Sequence, residues 1–317
     1  MAEANTLLGA MLNDRYRLLE IVGRGGMGTV IKAEDAKHRR QVAIKLFRSD
    51  VGQLGGPDRF AREIAILATL QHPNILPLLD SGTIDGQPYY VMPFIQGESL
   101  RERIGREGKL PVTDAVRLLV EVVDALRYAH ELGIIHRDIK PENVMLSGRH
   151  ALVTDFGIAR GASYDHDPRE TTAGIAIGTP SYMAPEQAAA DPEIDGRADI
   201  YSTGILAFEM LTGKPPFAGA SPAAILAAQI TETPPPLDEI RVEVSRPLAE
   251  LIGRCLAKKP ADRPSAATLG EQLEQFVSPS GAVTPVYTGK IDAPKSRRPL
   301  YFGLAAGALG LVAALWL

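Results

Sequence analysis

The chain has 317 residues, a formal net charge of −4 and a single cysteine, Cys255. The mildly acidic balance lacks the basic footprint of a nucleic-acid binder, so no nucleic-acid partner is expected. One cysteine excludes an intrachain disulfide framework or a cysteine-based metal site. Cys255 stands in the apolar stretch LIGRCLAKK and reads as a small buried hydrophobe.

In chain order, residues 1–15 form an N-terminal extension. They lack the basic segment and sustained apolar run of a cleaved signal peptide. RYRLLEIVG, GTVIKAED and RQVAIKLF then read as strands, because their residues are β-branched or alternate and turn residues separate them. GPDRFAREIAILATL reads as a helix with Ile64, Leu67 and Leu70 at helical spacing, and NILPLLDSGTIDGQPYYVMPFI returns to strands around a DG turn. After QGESL the pattern becomes mainly helical. TDAVRLLVEVVDALRYAHELG has a capping Thr113 or Asp114 and a glycine stop, and RADIYSTGILAFEMLTG, SPAAILAAQI and RPLAELIGRCL continue the series. A small β-rich part before a larger helical part predicts two lobes, with a hinge near residues 93–97.

The first chemical signal is IVGRGGMGTV, whose Gly23, Gly25 and Gly28 have the spacing G-x-G-x-x-G. This spacing serves the loop opening a Rossmann helix and also a strand–loop–strand flap over ATP. Strand-like GTVIKAED follows, which favours the flap and disfavours a dinucleotide-dependent dehydrogenase. Lys45, in VAIK, can act as an ammonium for the α- and β-phosphates, with Glu63 of RFAREIAIL as its carboxylate partner. In IIHRDIKPENVML, polar residues are packed densely between apolar pairs, as in a rigid catalytic loop. Asp138 can accept a proton from an attacking hydroxyl, Lys140 can neutralise a transferring phosphoryl group, and Asn143 offers an oxygen to a metal. Asp155 of LVTDFGIA supplies a second hard oxygen.

These residues resemble the protein kinase family, with GRGGMGTV, VAIK, HRDIKPEN, DFG and APE in the family's order. The resemblance implies an α+β, bilobal fold over residues 16–276, with an N-lobe over about 16–95 and a C-lobe over about 96–276. It implies ATP as phosphoryl donor and Mg²⁺ as cofactor, with Mn²⁺ as a substitute. Asp138 would be the base, Lys45 would pair with Glu63, and Asn143 and Asp155 would hold the metal. The nucleotide would be lined by Val22, Gly23, Arg24, Gly25, Gly26, Met27, Gly28, Thr29 and Val30 of the flap. Ala43, Lys45, the gating Met92, Pro93, Ile95 and Met145 would complete the lining. Pro93 departs from the glutamate often found at its position, though the carbonyl needed for adenine survives.

Lys140 and GTPSYMAPEQ resemble the Ser/Thr class, with Thr179 near Asp138 and Lys140 and with Ser/Thr-bearing proteins as substrates. By the same resemblance His136 and Phe156 belong to a hydrophobic stack, Glu186 and Arg263 form a structural ion pair, and Asp199 anchors the catalytic loop. His72 and His130 read as structural. Thr171 and Thr172, ahead of Ser163, are expected phosphorylation sites whose phosphate Arg137 would bind.

Residues 277–299 have the Pro/Gly/Ser/Thr character of a juxtamembrane linker. Leu300 to Leu317 carries no charge and follows KSRRP. As a helix it would span roughly 27 Å, enough for one transmembrane helix. Lys295, Arg297 and Arg298 place the preceding domain on the cytoplasmic side of the cell membrane. The resulting expectation is a membrane-anchored signalling kinase resembling the bacterial receptor-type kinases, either tail-anchored or continuing beyond Leu317. Gly303 and Gly307 add a G-x-x-x-G face suited to a homodimer. A pseudokinase scaffold is the competing class, disfavoured because Lys45, Glu63, Asp138, Asn143 and Asp155 are all present.

Overall fold

The computed structural model describes residues 8–25, 28–48, 64–156, 180–219 and 221–277, all within one unit, Met1–Pro279. The expected anchor, Glu63, Gly26, Met27, Ser163, Thr171, Thr172 and Thr179 lie outside the described residues.

The N-terminal part is an antiparallel sheet in the order β1-β2-β3-β4-β6-β5. Its strands are β1 (Met11–Leu12), β2 (Tyr16–Gly25), β3 (Gly28–Asp35), β4 (Arg40–Phe47), β5 (Asp80–Ile84) and β6 (Gln87–Pro93). Alternation in the sequence puts Leu18, Ile31, Ala33, Val42, Ile44 and Val91 into one apolar core. The expected DG turn joins β5 to β6, with Asp85 and Gly86 at φ 49° and 78°. Two consecutive positive φ values match the right-handed twist of the paired strands. Arg15 ties the sheet's edges together, reaching Asp35 Oδ2 at 3.0 Å and Asp80 Oδ2 at 2.8 Å.

After the hinge come β7 (Glu98–Ser99), α1 (Leu100–Glu107) and α2 (Val112–Glu131). Next are β8 (Val144–Ser147), β9 (His150–Val153), α3 (Pro185–Ala188), α4 (Arg197–Thr212), α5 (Pro222–Thr231), α6 (Leu237–Ile240), α7 (Arg246–Cys255) and α8 (Ala266–Val277). α4 is buried on nearly every side, from Ala198 to Leu211. Its apolar residues lie on every side of the helix, which therefore needs cover all round, and the polar Asp199, Ser202, Thr203 and Glu209 are buried with them. α1 begins with a full capping box, Ser99 accepting from the Glu102 amide and Glu102 returning the bond.

The cap expected at Thr113 or Asp114 is corrected. α2 starts at Val112, with Pro111 before it and no side-chain cap bond. Proline removes one of the amide hydrogens that a cap would serve. Asp114 instead accepts from Arg103 at 2.7 Å. The glycine stop stands at Gly133, φ 74°.

Cys255 is 2% exposed and its thiol donates to the Leu251 carbonyl at 3.4 Å. Burial pushes the thiol up to about 12, so it stays protonated and inert, as a small hydrophobe should.

Candidate active site

Directly opposed residues of antiparallel strands share a face, and so do residues two apart along one strand. Val30 pairs with Lys45 and Lys45 with Tyr90, while Lys32 pairs with Ala43 and Ala43 with Met92. Val30, Ala43, Lys45 and Met92 therefore leave one face of the sheet, and Tyr90 joins them. Pro93 ends β6, and Pro93, Ile95 and Met145 on β8 are half-buried.

The glycine-rich segment lies between two strands, with Gly25 paired to Gly28, Arg24 to Thr29 and Gly23 to Val30. No helix follows it, which removes the Rossmann alternative. Of the described glycines Gly23, Gly25 and Gly28, packing imposes glycine at Gly28 alone, where a Cβ would stand 2.2 Å from the Leu46 carbonyl oxygen. A Cβ at Gly25 would meet nothing within 4 Å, so at Gly25 the neighbouring chain places no such demand. Val22 is 46% exposed, beside a register irregularity between Ile21 and Gly23.

The catalytic-loop sequence folds around two buried groups. Asp199, at the start of α4, accepts from the His136 amide at 2.8 Å and from the Arg137 amide at 2.7 Å. Arg137 has a φ of 65°, unusual for a side chain of its size. Burial alone would raise the Asp199 carboxyl, but the His130 ring and the His136 amide outweigh it and hold it below the usual range. The buried His136 ring has a fixed tautomer. Its Nδ1 accepts from the Asp138 amide at 3.2 Å, so Nε2 carries the hydrogen donated to the Thr154 carbonyl at 2.8 Å. Burial lowers its pKa, consistent with that neutral form. The ring also packs on Phe156, with centroids 4.5 Å apart.

Held this way, Asp138 directs its carboxylate at Lys140 and Asn143 among the described residues. Oδ2 accepts from Lys140 Nζ at 2.7 Å and from Asn143 Nδ2 at 3.1 Å. Asn143 Nδ2 also reaches the Asp138 carbonyl at 2.8 Å. Both partners are acceptors, so the Asn143 amide must turn its nitrogen to them and keep its oxygen for another ligand. The β8–β9 hairpin then brings the second oxygen donor close. Val144 pairs with Val153, and the Thr154 amide donates to the Asn143 carbonyl at 2.9 Å. Asp155 follows directly, with φ 61°. One amide oxygen and one carboxylate are hard donors that suit a divalent cation carrying phosphates.

Lys45 Nζ lies 2.7 Å from Asp155 Oδ1, so among the described residues its ionic partner is Asp155. Burial would raise the Asp155 carboxyl, but Lys45 and the Tyr90 hydroxyl outweigh it and hold it low. The Tyr90 hydroxyl donates to the same Oδ1 at 2.5 Å, and burial pushes the phenol well above its usual range. A cavity of about 30 Å³ adjoins these groups, lined by Tyr90 and Asp155 together with Leu70, Ile75, Met92 and Phe156. The sequence reading missed Tyr90. Its signal was its phase, two residues before Met92 on a strand whose face carries the nucleotide residues.

Residues 16–273 match the model of the protein kinase domain. The chain belongs to the eukaryotic-like Ser/Thr protein kinase family. It is 38% identical over 260 residues to serine/threonine-protein kinase PknB of Mycobacterium leprae, covering 80% of this chain and 41% of that protein. Against probable serine/threonine-protein kinase PknB of Corynebacterium glutamicum the identity is 37% over 283 residues, with 84% and 44% covered. Serine/threonine-protein kinase pkn2 of Myxococcus xanthus is 38% identical over 283 residues, with 87% and 34% covered. The chain thus spans less than half the length of these curated relatives. The crystal structure of Rad53 1-466 with AMP-PNP shares the fold at a TM-score of 0.70 and 24% identity, covering 83% of this chain and 66% of that one. In this Ser/Thr kinase domain, Glu186 and Arg263 form the expected buried pair, with Arg263 Nη1 2.6 Å and Nη2 2.8 Å from the two carboxylate oxygens.

Proposed function

We propose that this chain transfers the γ-phosphoryl group of ATP to serine or threonine hydroxyls of proteins. The observation that carries the reading is the meeting of Lys140 and Asn143 on Asp138 Oδ2, one hairpin away from Asp155. In this reading Asp138 accepts the proton of the attacking hydroxyl. Lys140 keeps the base in place and sets a positive charge beside the transferring group. Lys45 grips the phosphates, and its pairing with Asp155 keeps the ammonium at the mouth of the site. Asn143 and Asp155 would hold Mg²⁺, which when bound neutralises phosphate charge. Val22, Gly23, Arg24, Gly25, Gly26, Met27, Gly28, Thr29, Val30, Ala43, Met92, Pro93, Ile95 and Met145 would line the nucleotide. Glu63 would act as a further partner for Lys45.

The finer reading is a kinase domain over 16–276, a linker over 277–299 and an anchoring helix over 300–317. The domain would lie on the cytoplasmic side, the chain would associate through Gly303 and Gly307, and activation would follow autophosphorylation at Thr171 or Thr172. Arg137, directly before Asp138, supplies the charge that such a phosphate would need.

The test is phosphate transfer from ATP to a generic basic protein, with mapping of the chain's own phosphosites. Asp138→Asn should lower the rate at least about a hundredfold, the scale of a lost general base, and should erase phosphate from Thr171 and Thr172. Equal incorporation by both proteins would overturn the enzyme reading and favour a nucleotide-binding scaffold. A wild-type chain that is active yet unmodified at both threonines would remove the autophosphorylation switch alone.

A further inference from the structure

Tyr90 stands directly opposite Lys45 on the neighbouring strand. Its side chain is buried, at 4% exposure, and its ring packs against Phe47 with centroids 5.7 Å apart. That apolar contact asks only for a ring. A buried hydroxyl costs stability unless it is bonded, so the oxygen must be explained by its partner. The partner is Asp155 Oδ1, 2.5 Å away. Lys45 Nζ donates to that same oxygen at 2.7 Å. Two donors from adjacent strands thus converge on one oxygen of a carboxylate from the other lobe, and the described residues place no donor on Oδ2. Asp155 has a φ of 61°, so its backbone has left the strand geometry of β9. Among the described residues, the bonds from Tyr90 and Lys45 are the ones that hold its carboxylate.

We infer that Tyr90 is a positioning residue for Asp155: its hydroxyl fixes Oδ1 and so presents Oδ2 to the divalent cation that accompanies the nucleotide. When phosphates compete for the Lys45 ammonium, the neutral Tyr90 donor remains on Oδ1. It thus supplies orientation that does not depend on the bond that the substrate loosens. The inference rests on the phosphotransfer reading only in that a cation–nucleotide pair binds at this site.

The experiment is calorimetric titration of ADP into the full chain at a series of Mg²⁺ concentrations, for wild type, Tyr90→Phe and Tyr90→Leu. Tyr90→Phe keeps the ring and removes the hydroxyl. It should raise the Mg²⁺ concentration for half-maximal tightening of ADP by about tenfold, the usual effect of losing a group that orients a metal ligand. ADP affinity without metal should match wild type. In turnover, the loss should appear in the Mg²⁺ requirement and shrink at saturating Mg²⁺. Tyr90→Leu, which also loses the ring, should share the Mg²⁺ shift while unfolding at a lower temperature than Tyr90→Phe. An unchanged Mg²⁺ midpoint in Tyr90→Phe would overturn the inference and leave Tyr90 a packing residue. A lower midpoint would overturn it too, because the hydroxyl would then compete with the cation. A wild-type chain whose ADP binding ignores Mg²⁺ would instead overturn the metal-site reading itself, and the inference with it.

Discussion

At the scale of single residues, the Asp199 carboxylate serves three donors at once: the amides of His136 and Arg137 and the His130 ring at 2.8 Å. The side chain is fully buried, so water cannot replace any of them. Asp199→Asn preserves the shape but has one acceptor atom where the carboxylate has two. If its oxygen keeps His136 and His130, its amide nitrogen must face the Arg137 amide, and one buried donor is left without an acceptor. The expected loss is about 2–3 kcal/mol of stability, read by urea unfolding. Because Arg137 sits at φ 65° immediately before Asp138, phosphate transfer should slow far more than ADP binding weakens. A variant of unchanged stability and unchanged transfer rate would show that the loop keeps its shape without this anchor.

At the scale of elements, Arg263 joins three pieces of the helical lobe. Its guanidinium spans both oxygens of Glu186 on α3 and donates to the carbonyls of Arg197 at 2.9 Å, Ala257 at 2.7 Å and Lys258 at 3.0 Å. Glu186 and Arg263 expose 6% and 0% of their side chains. Arg263→Ala leaves a buried carboxylate without its partner, which typically costs about 3–5 kcal/mol. Equilibrium unfolding should show that loss, and Arg263→Lys should recover only part of it, since an ammonium cannot fork across two oxygens. A loss below about 1 kcal/mol, the range of an exposed pair, would refute the buried-pair account. Elements of this kind differ in how far the sequence discloses them. β2, β3 and β4 were legible because alternation with period two marks a half-buried strand. The order of motifs placed Asp138, Asn143 and Asp155 because the chain itself brings them together, through one loop and one hairpin. The start of α2 was misread because Thr113 and Asp114 have capping chemistry, and only the neighbouring Arg103 reveals what Asp114 does. The phase of Tyr90 marked the face it leaves, but its bond to Asp155 was not legible, because that partner lies 65 residues away in sequence and no local pattern carries a contact across lobes.

At the scale of the whole molecule, the sheet has its own apolar core, the helical lobe has another that also takes in Leu70 and Ile75, and Lys45 and Tyr90 reach across to Asp155. The chain also carries an uncharged run, Leu300 to Leu317, behind Lys295, Arg297 and Arg298. Among the described residues no helix is long and apolar enough to cross a membrane, so the anchor proposal stands on this run. Its six leucines, Phe302 and Val312 each favour insertion by about 0.3–0.6 kcal/mol, roughly 2–5 kcal/mol together, whereas one arginine at the centre costs about 2.5–3.5 kcal/mol. The two magnitudes are similar, so a single charge should tip the balance. Wild-type chain should stay with the membrane pellet through an alkaline carbonate wash, and Leu309→Arg should move most of it to the supernatant. Transfer rate per mole should be unchanged, because Leu309 is remote in sequence from every proposed catalytic residue. Wild-type protein released by the wash would refute the anchor, and a Leu309→Arg chain retained like wild type would show that another feature holds it there.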